Sequence, residues 1–115
     1  MINLACLILL MLNQKEILKN RKAFSEIDKS IASVFKVLSD VNRYRTFRIL
    51  VEQPKLTVGD IAQILDISLP LASQHIKILT QSNLLQKERV GKKIFTKLEH
   101  GNPFVRAVIE TIKKL

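Results

Sequence analysis

The segment 67–79 has the sequence ISLPLASQHIKIL, in which hydrogen-bonding side chains interrupt an apolar repeat. Ser68 can cap a helix whose first turn contains Pro70, where a missing backbone N–H does no harm. Four apolar residues then share one face at i, i+3, i+7 and i+10, namely Leu69, Ala72, Ile76 and Leu79. The opposite side keeps small, amide-bearing and basic side chains, which can bond to nucleobase edges and to phosphates.

The chemistry of these polar groups suits a DNA groove. Glutamine can bond adenine in two places, serine can donate or accept, and an apolar side chain can contact a thymine methyl group. Lys77 and a protonated or hydrogen-bonding His75 are better suited to phosphates, which fix register rather than sequence. An ordinary amphipathic helix with a solvated side has the same pattern, so the neighbouring elements must decide. The candidate DNA-contacting residues here are Ser68, Leu69, Pro70, Leu71, Ser73, Gln74, His75 and Lys77.

A basic hairpin is predicted after this helix. The hydrophobic period changes at Leu85, which indicates two short strands, 85–89 and 93–98, joined by a turn around Gly91. Five cations crowd this segment against the single acid Glu88: Lys87, Arg89, Lys92, Lys93 and Lys97. A solvated edge strand protected by lysines remains the alternative for Lys87 and Lys97. The tip residues are the further DNA-contact candidates, namely Arg89, Lys92 and Lys93.

Three helices must position this helix and its hairpin. Apolar residues recur at helical spacing from Ile27 to Leu38, and Asp40 can cap the next helix. The inner stripe of that second helix is predicted to be Tyr44, Phe47, Leu50 and Val51. Thr57 and Asp60 form a capping-box-like start to the third helix. The predicted core side of the third helix is Ile61, Ile64 and Leu65.

A last helix is predicted after Asn102 and Pro103. Asn83 suits the left-handed position that follows a helix. The predicted fold is therefore mainly α with a small β-hairpin. Two short helices in tandem followed by a basic hairpin indicate a winged helix-turn-helix.

Composition is consistent with a nucleic-acid partner. The 115 residues amount to one domain, with 19 Lys and Arg against 10 Asp and Glu and a net charge of +9. A merely solvated basic surface has the same charge. The single cysteine, Cys6, excludes an intrachain disulfide and fits a reducing cytoplasm, so we expect a cytoplasmic protein. Cys6 could pair with its mate in a dimer, although a buried apolar cysteine is the commoner case.

The first segment, MINLACLILLML, is apolar on nearly all sides. It is shorter than the roughly 20 residues of a membrane span and lacks the flanks of a signal peptide. A subunit interface is favoured over a membrane-associated N-terminus, and the polar, basic residues that follow are expected to end the helix or connect it onward. We therefore predict a single domain, 1–115, with an N-terminal dimerisation helix (1–22), a winged-helix core (27–98) and a C-terminal dimerisation helix (103–115).

Three stretches of the chain resemble the ArsR/SmtB family of winged-helix repressors: LSDVNRYRTFRIL, LTVGDIAQILDISLPLASQHIKILTQSNLL and KERVGKKIFTKL. Family members carry a DPTRxxIL-like helix, a recognition helix of the SQPTVSRHLKVL type and a REGR-like wing. Leu69, Leu71 and Gln74 depart from the family's usual glutamine, threonine and basic residue, so base preference can differ. The resemblance implies a homodimer built from the terminal helices, with one recognition helix per subunit in the major groove.

The usual metal ligands of that family are missing. Its LCVCDL cysteines are replaced by Thr57 and Gly59, neither of which supplies a thiolate. On the last helix only His100 and Glu110 are available, and His100 is better explained as a helix-entry residue. No cofactor and no catalytic constellation is expected, so the chain is not predicted to be an enzyme.

The resulting hypothesis is a sequence-specific transcriptional repressor. It would bind a pseudo-palindromic operator in double-stranded DNA as a homodimer. Whether an effector exists is left open by the sequence. Two alternatives are a winged-helix protein-interaction module and a membrane-associated regulator without specific DNA readout.

Overall fold

The computed structural model describes residues 3–10 and 13–115, and these form helices and one hairpin. The helices are α1 (Leu4–Leu10), α2 (Gln14–Ala23), α3 (Glu26–Leu38), α4 (Val41–Glu52), α5 (Val58–Leu65), α6 (Leu69–Gln81) and α7 (Pro103–Lys113). The strands are β1 (Leu85–Val90) and β2 (Lys93–Leu98). The chain divides into two compact units, Met1–Ser30 and Ile31–Leu115.

The described residues of the N-terminal unit form α1, α2 and the start of α3, whereas the sequence indicated one helix followed by a helix end or connection before α3. Asn13 caps α2, because its side-chain oxygen accepts a hydrogen bond from the backbone N–H of Glu16 at 2.8 Å. The expected connection is therefore a second helix. Cys6 is exposed in the single chain. Met1, Ile2, Met11 and Leu12 belong to the predicted apolar segment but lie outside the described residues.

The predicted caps of the C-terminal unit are confirmed. Asp40 accepts from the backbone N–H groups of Asn42 and Arg43 at the start of α4. Thr57 and Asp60 form a complete capping box on α5. The Oγ of Ser68 accepts from the backbone N–H of Leu71 at 3.2 Å and so opens α6. These short polar side chains determine where each helix begins.

Left-handed residues close α5, α6 and the hairpin. Asp66 (φ 54°) ends α5, and Asn83 (φ 63°) follows α6 as predicted. Gly91 (φ 63°) occupies the first position of the two-residue turn between Val90 and Lys93. The strands pair antiparallel from Leu85 opposite Leu98 to Val90 opposite Lys93. The ribbon therefore projects with its turn at the far end from the core.

One buried apolar cluster joins α4, α6, the hairpin and α7. Its members are Phe47, Leu50, Leu79, Leu84, Leu85, Leu98, Val105 and Ile109. The base of the hairpin is also held by two backbone hydrogen bonds between Leu56 and Thr96, at 2.7 and 3.0 Å. The fold is mainly helical with one antiparallel hairpin, which confirms the predicted winged helix-turn-helix class. In the part of the chain that the structure describes, no helix has the length and hydropathy needed to cross a membrane.

Two predicted core residues are exposed. Leu69, the first residue of α6, is 55% exposed although its spacing placed it on the inner face. Ile64 of α5 is also exposed, because the buried side of that helix is centred on Ile61 and Ala62. The inner face of α6 consists instead of Ala72, His75, Ile76 and Leu79.

The two leucines of α6 provide a matched test of this assignment. Leu79→Ala should lower the free energy of unfolding by roughly 2–5 kcal/mol, because it leaves a cavity in the core. Leu69→Ala should change it by less than about 0.5 kcal/mol, because the side chain is largely in solvent. Urea unfolding followed by circular dichroism measures both. Equal losses would contradict the orientation of α6.

Candidate nucleic-acid interface

The outer side of α6 brings together most of the residues that the sequence singled out. Seven of the eight predicted residues are exposed: Ser68, Leu69, Pro70, Leu71, Ser73, Gln74 and Lys77. Pro70, Ser73, Gln74 and Lys77 follow one another at intervals of three, one and three residues, so they form a continuous strip opposite the buried face. This strip is therefore accessible to a neighbouring macromolecule.

The N-terminus of α6 adds positive potential to this strip. The first turn of the helix, Leu69–Ala72, contains only apolar residues, so no carboxylate offsets the helix dipole there. Ser68 satisfies the N–H of Leu71 with a neutral hydroxyl. An anion such as a DNA phosphate is favoured at such an end.

The hairpin separates its cations into two groups. At the tip, Arg89, Lys92 and Lys93 are exposed, and Arg89 Nε donates to the carbonyl oxygen of Gly91 at 3.3 Å. Lower on the ribbon, Lys97 Nζ lies 3.4 Å from a carboxylate oxygen of Glu88. Glu88 is thus occupied within the hairpin, and the three tip cations remain available for phosphates.

A second lysine also contacts Glu88 at the base of the hairpin. Lys55 Nζ lies 3.7 Å from the carboxylate and 5.3 Å from the centre of the Phe95 ring. Both lysines on Glu88 are partly exposed, so each pair contributes little stability by itself. The carboxylate of Glu88 therefore lies beside Lys55 and Lys97.

His75, which the sequence placed at the flank of the polar side of α6 as a candidate phosphate contact, does not belong to the exposed strip. Its side chain is buried, with the residue 7% exposed, and it faces the start of α4. Its Nδ1 lies 3.5 Å from a terminal nitrogen of Arg43 and its Nε2 lies 4.0 Å from Oδ1 of Asp40. A phosphate could not reach the ring in this position.

Asp40 is a functional neighbour that sequence reasoning identified only as a cap. The backbone N–H of Arg43 donates to its carboxylate and is the main reason that the pKa of Asp40 lies below the ordinary aspartate value. Partial burial opposes this lowering of the pKa, while the N–H of Asn42, the neighbouring imidazole of His75 and the charge of Arg43 add to it. The 32-residue separation between Arg43 and His75 leaves no local sequence signal for their contact.

An apolar groove lies between α3 and α7 within the C-terminal unit. It is lined by Ile31, Val34, Phe35, Phe104, Ala107, Val108 and Thr111. Phe35 is 69% exposed there. A large exposed aromatic beside an apolar groove indicates an interaction surface. His100 lies just before α7, where its backbone carbonyl accepts from Arg106 at 2.7 Å.

Within the described ranges, no three His, Cys, Asp or Glu side chains come together as a metal ion would require. At the two positions of the missing cysteines, the structure has the capping hydroxyl of Thr57 and the bare backbone of Gly59. The side chain of Thr57 has no thiolate, and its hydroxyl oxygen already accepts a hydrogen bond from the backbone N–H of Asp60.

Comparison with known proteins agrees with this geometry. A MarR family model matches residues 38–93. The chain is 38% identical over 66 residues to the transcriptional repressor SdpR of Bacillus subtilis, covering 57% of the chain and 72% of SdpR. It is 35% identical over 66 residues to the cadmium resistance transcriptional regulatory protein CadC of Listeria innocua. That match covers 57% of the chain and a little over half, 56%, of CadC.

A solved structure with the same fold is HlyU from Vibrio cholerae, with a TM-score of 0.71 and 21% sequence identity. The match covers 79% of this chain and 96% of HlyU. The helices and hairpin thus define a winged helix-turn-helix protein. The chain belongs to the MarR-family winged-helix transcriptional regulators.

The lowered pKa of Asp40 predicts a pH-dependent stability. Because the folded-state pKa lies below the unfolded value of roughly 4, the charged cap stabilises the fold above that pH. Its contribution is lost as the pH falls through the folded-state pKa. Asp40→Asn retains a capping oxygen without a titrating charge. The wild-type protein should therefore exceed this variant in stability near neutral pH, and the difference should shrink below about pH 4.

Urea unfolding at a series of pH values from neutral to about pH 3 measures this difference. Asp60→Asn is a parallel case, since the pKa of Asp60 is lowered mainly by its hydrogen bond from the backbone N–H of Thr57. A stability difference that stays constant with pH would contradict the assigned role of the Asp40 carboxylate.

Proposed function

We propose that the protein is a sequence-specific DNA-binding transcriptional repressor that binds a pseudo-palindromic operator as a homodimer. The observation that carries this proposal is the exposed strip of α6, where Ser73, Gln74 and Lys77 lie opposite the buried face. A serine, an amide and a lysine on one exposed helix side match the donors and acceptors of the major groove. Repression would follow from occupancy of the operator.

Base recognition and phosphate contact are assigned to different residues in this proposal. Ser73 and Gln74 read base edges, with the exposed Leu69 and Leu71 available for thymine methyl groups. Ser68 and Pro70 position the helix start against the backbone. Lys77 and the hairpin tip contact phosphates, which fix the register of the helix on the duplex. His75 is excluded from the contact set because it is buried.

A homodimer provides the two-fold symmetry that a pseudo-palindromic operator requires. The groove between α3 and α7 is apolar and carries an exposed phenylalanine, so a second copy would bury a surface that is costly to leave in water. The N-terminal segment 1–22 is the second proposed dimerisation element, because Leu4, Leu7 and Ile8 of α1 are exposed in the single chain. The winged-helix core, 27–98, would then be presented twice on one duplex.

Among winged-helix regulators, we propose that the protein is an ArsR/SmtB-type repressor, because of its sequence motifs in α4, α6 and the hairpin. The proposed site of action is the cytoplasm, where one lone cysteine is unremarkable. Any effector is unidentified. Because the chain matches only part of CadC, the metal response named for that relative is not carried over, and Thr57 and Gly59 argue against the thiolate form of it.

Selection of bound duplexes from a random pool at several salt concentrations tests the proposal directly. A repressor of this kind should enrich one palindromic motif, with an affinity that falls steeply as salt rises. A protein that enriches no motif at low salt is not a sequence-specific regulator. Binding of protein partners alone would instead favour an interaction module.

Two variants of α6 separate base readout from phosphate contact. Gln74→Ala should lower affinity for the selected operator by about 5- to 150-fold relative to random DNA, because one amide–base pair is lost. Lys77→Ala should weaken binding to both duplexes and reduce the slope of log affinity against log salt by roughly 0.9 per subunit. Gln81→Ala, exposed at the far end of the same helix, is the matched control and should change neither. Identical effects of the first two variants would contradict the division of roles.

Substitution in the groove tests the dimer. Phe35→Asp should raise the dimer dissociation constant at least about tenfold, because a carboxylate would be buried at the proposed interface. Ile64→Asp, which places the same charge on an exposed residue of α5, should leave the dimer intact. Sedimentation equilibrium measures both, and deletion of residues 1–12 tests the N-terminal element in the same way. A Phe35→Asp protein that dimerises like the wild type would remove the groove from the interface.

A further inference from the structure

A polar junction lies on the buried side of α6, where the rest of that face is apolar. His75 is flanked in the sequence by Gln74, which belongs to the exposed strip, and by Ile76, which is buried. The imidazole lies between two charged groups at the start of α4, the carboxylate of Asp40 and the guanidinium of Arg43. A buried titratable ring between opposite charges has no part in the apolar packing and none in direct DNA contact.

The two neighbours assign the tautomer of the ring. A guanidinium only donates hydrogen bonds, so the Nδ1 atom that lies 3.5 Å from Arg43 must be the acceptor. The proton of the neutral ring is then on Nε2, which faces Oδ1 of Asp40 at 4.0 Å. Each ring nitrogen therefore faces a group of complementary polarity. A 180° flip of the ring would replace Nδ1 by the Cδ2–H group, which offers Arg43 no acceptor.

The junction reaches a third helix through Arg43. The Nε atom of Arg43 donates to the backbone carbonyl oxygen of Val37, in the last turns of α3, at 2.6 Å. Asp40 in turn accepts from the backbone N–H groups of Asn42 and Arg43 at 2.9 and 3.1 Å. The ring is thus tied to groups that are themselves held by backbone hydrogen bonds. The end of α3, the start of α4 and the middle of α6 meet at these contacts.

Apolar packing determines which face of α6 is buried, but it defines small rotations of the helix about its axis less sharply than directional contacts do. The contacts of the buried side chains Ala72, Ile76 and Leu79 are non-directional, so they respond less sharply to a small turn of the helix about its axis. Hydrogen bonds depend on distance and angle and are sensitive to such turns. A rotation of α6 moves the adjacent Gln74 side chain across the groove, where misplacement by about an ångström loses a base contact.

We propose that His75, held by Asp40 and Arg43, is a positioning residue for base recognition, which sets the rotation of α6 so that Ser73 and Gln74 meet the base edges. This inference rests on the proposed function, because it concerns how the same helix achieves specificity. His75 itself touches no DNA in this arrangement. Its loss should reduce discrimination between operator and random DNA while the phosphate contacts persist.

The experiment measures the ratio of operator affinity to random-duplex affinity, together with its salt dependence, for the full-length protein. His75→Leu should lower this ratio at least about tenfold, with the slope of log affinity against log salt unchanged. His75→Gln can still present an N–H toward Asp40, so it should recover part of the lost discrimination and keep the fold polar at this site. Val105→Ala, a buried change on α7, is the control that lowers stability without touching the junction.

A double variant tests whether the contact with Arg43 carries the effect. If Arg43 acts through the ring, Arg43→Gln combined with His75→Leu should lower the affinity ratio about as much as the larger single change does. Fully additive losses would contradict this linkage.

The outcomes separate this inference from the proposed function. A wild-type protein that enriches no operator overturns both. An operator-binding wild type whose His75→Leu and His75→Gln variants retain the wild-type ratio overturns only the positioning role. A salt slope reduced by roughly 0.9 per subunit in His75→Leu would show a phosphate contact instead and overturn it too. A ratio reduced equally in Val105→Ala would assign the effect to general stability.

Discussion

The burial of one face of α6 in the cluster around Phe47 and Leu79 is the contact on which the rest of the arrangement depends. That cluster also contains the base of the hairpin, at Leu85 and Leu98, and the start of α7, at Val105. Because an α-helix has 3.6 residues per turn, burial of one face of α6 leaves residues on the opposite face exposed to solvent. The same packing therefore stabilises the fold and leaves the strip of Pro70, Ser73, Gln74 and Lys77 exposed.

The basic side chains are distributed unevenly over this framework. The net charge of +9 gives the chain a general attraction for polyanions. The local structure determines which basic side chains are positioned to contact a polyanion. Lys97 and Lys55 are close to Glu88, whereas Arg89, Lys92 and Lys93 lie at the end of a ribbon whose turn depends on the positive φ of Gly91. Glu88 and Gly91 therefore determine which basic side chains of the hairpin lie beside a carboxylate and which lie at its tip.

The helix caps and the hairpin are the parts that could be predicted from sequence with little error. Ser68, Thr57 and Asp40 act within three residues of their own position, so the signal is local and the structure confirms each cap. The hairpin strands were correct to within one residue, since β1 extends to Val90. The errors occur where a residue's surroundings come from a distant part of the chain. Leu69 has the right spacing for the core, yet it is the first residue of α6 and remains 55% exposed.

His75 is the clearest example of what local patterns miss. Its polarity placed it among the DNA-contact candidates, but its side chain is buried and faces Arg43 at 3.5 Å and Asp40 at 4.0 Å, two residues more than 30 positions earlier in the chain. The α2 helix is a different case, since Asn13 provided a local cap signal inside a segment whose polarity suggested a connection.

The sequence by itself determined the order of the elements, their caps, the basic hairpin and the division of α6 into an apolar and a polar side. These follow from interactions between residues a few positions apart, whose strength does not depend on the rest of the fold. Only the tertiary structure decided which lysines lie beside Glu88 and which leucine of α6 is buried. It also decided that His75 faces Asp40 and Arg43. Those features depend on the tertiary packing, which places side chains from α4 and α6 that are more than 30 residues apart in the sequence within 3.5 to 4.0 Å of each other.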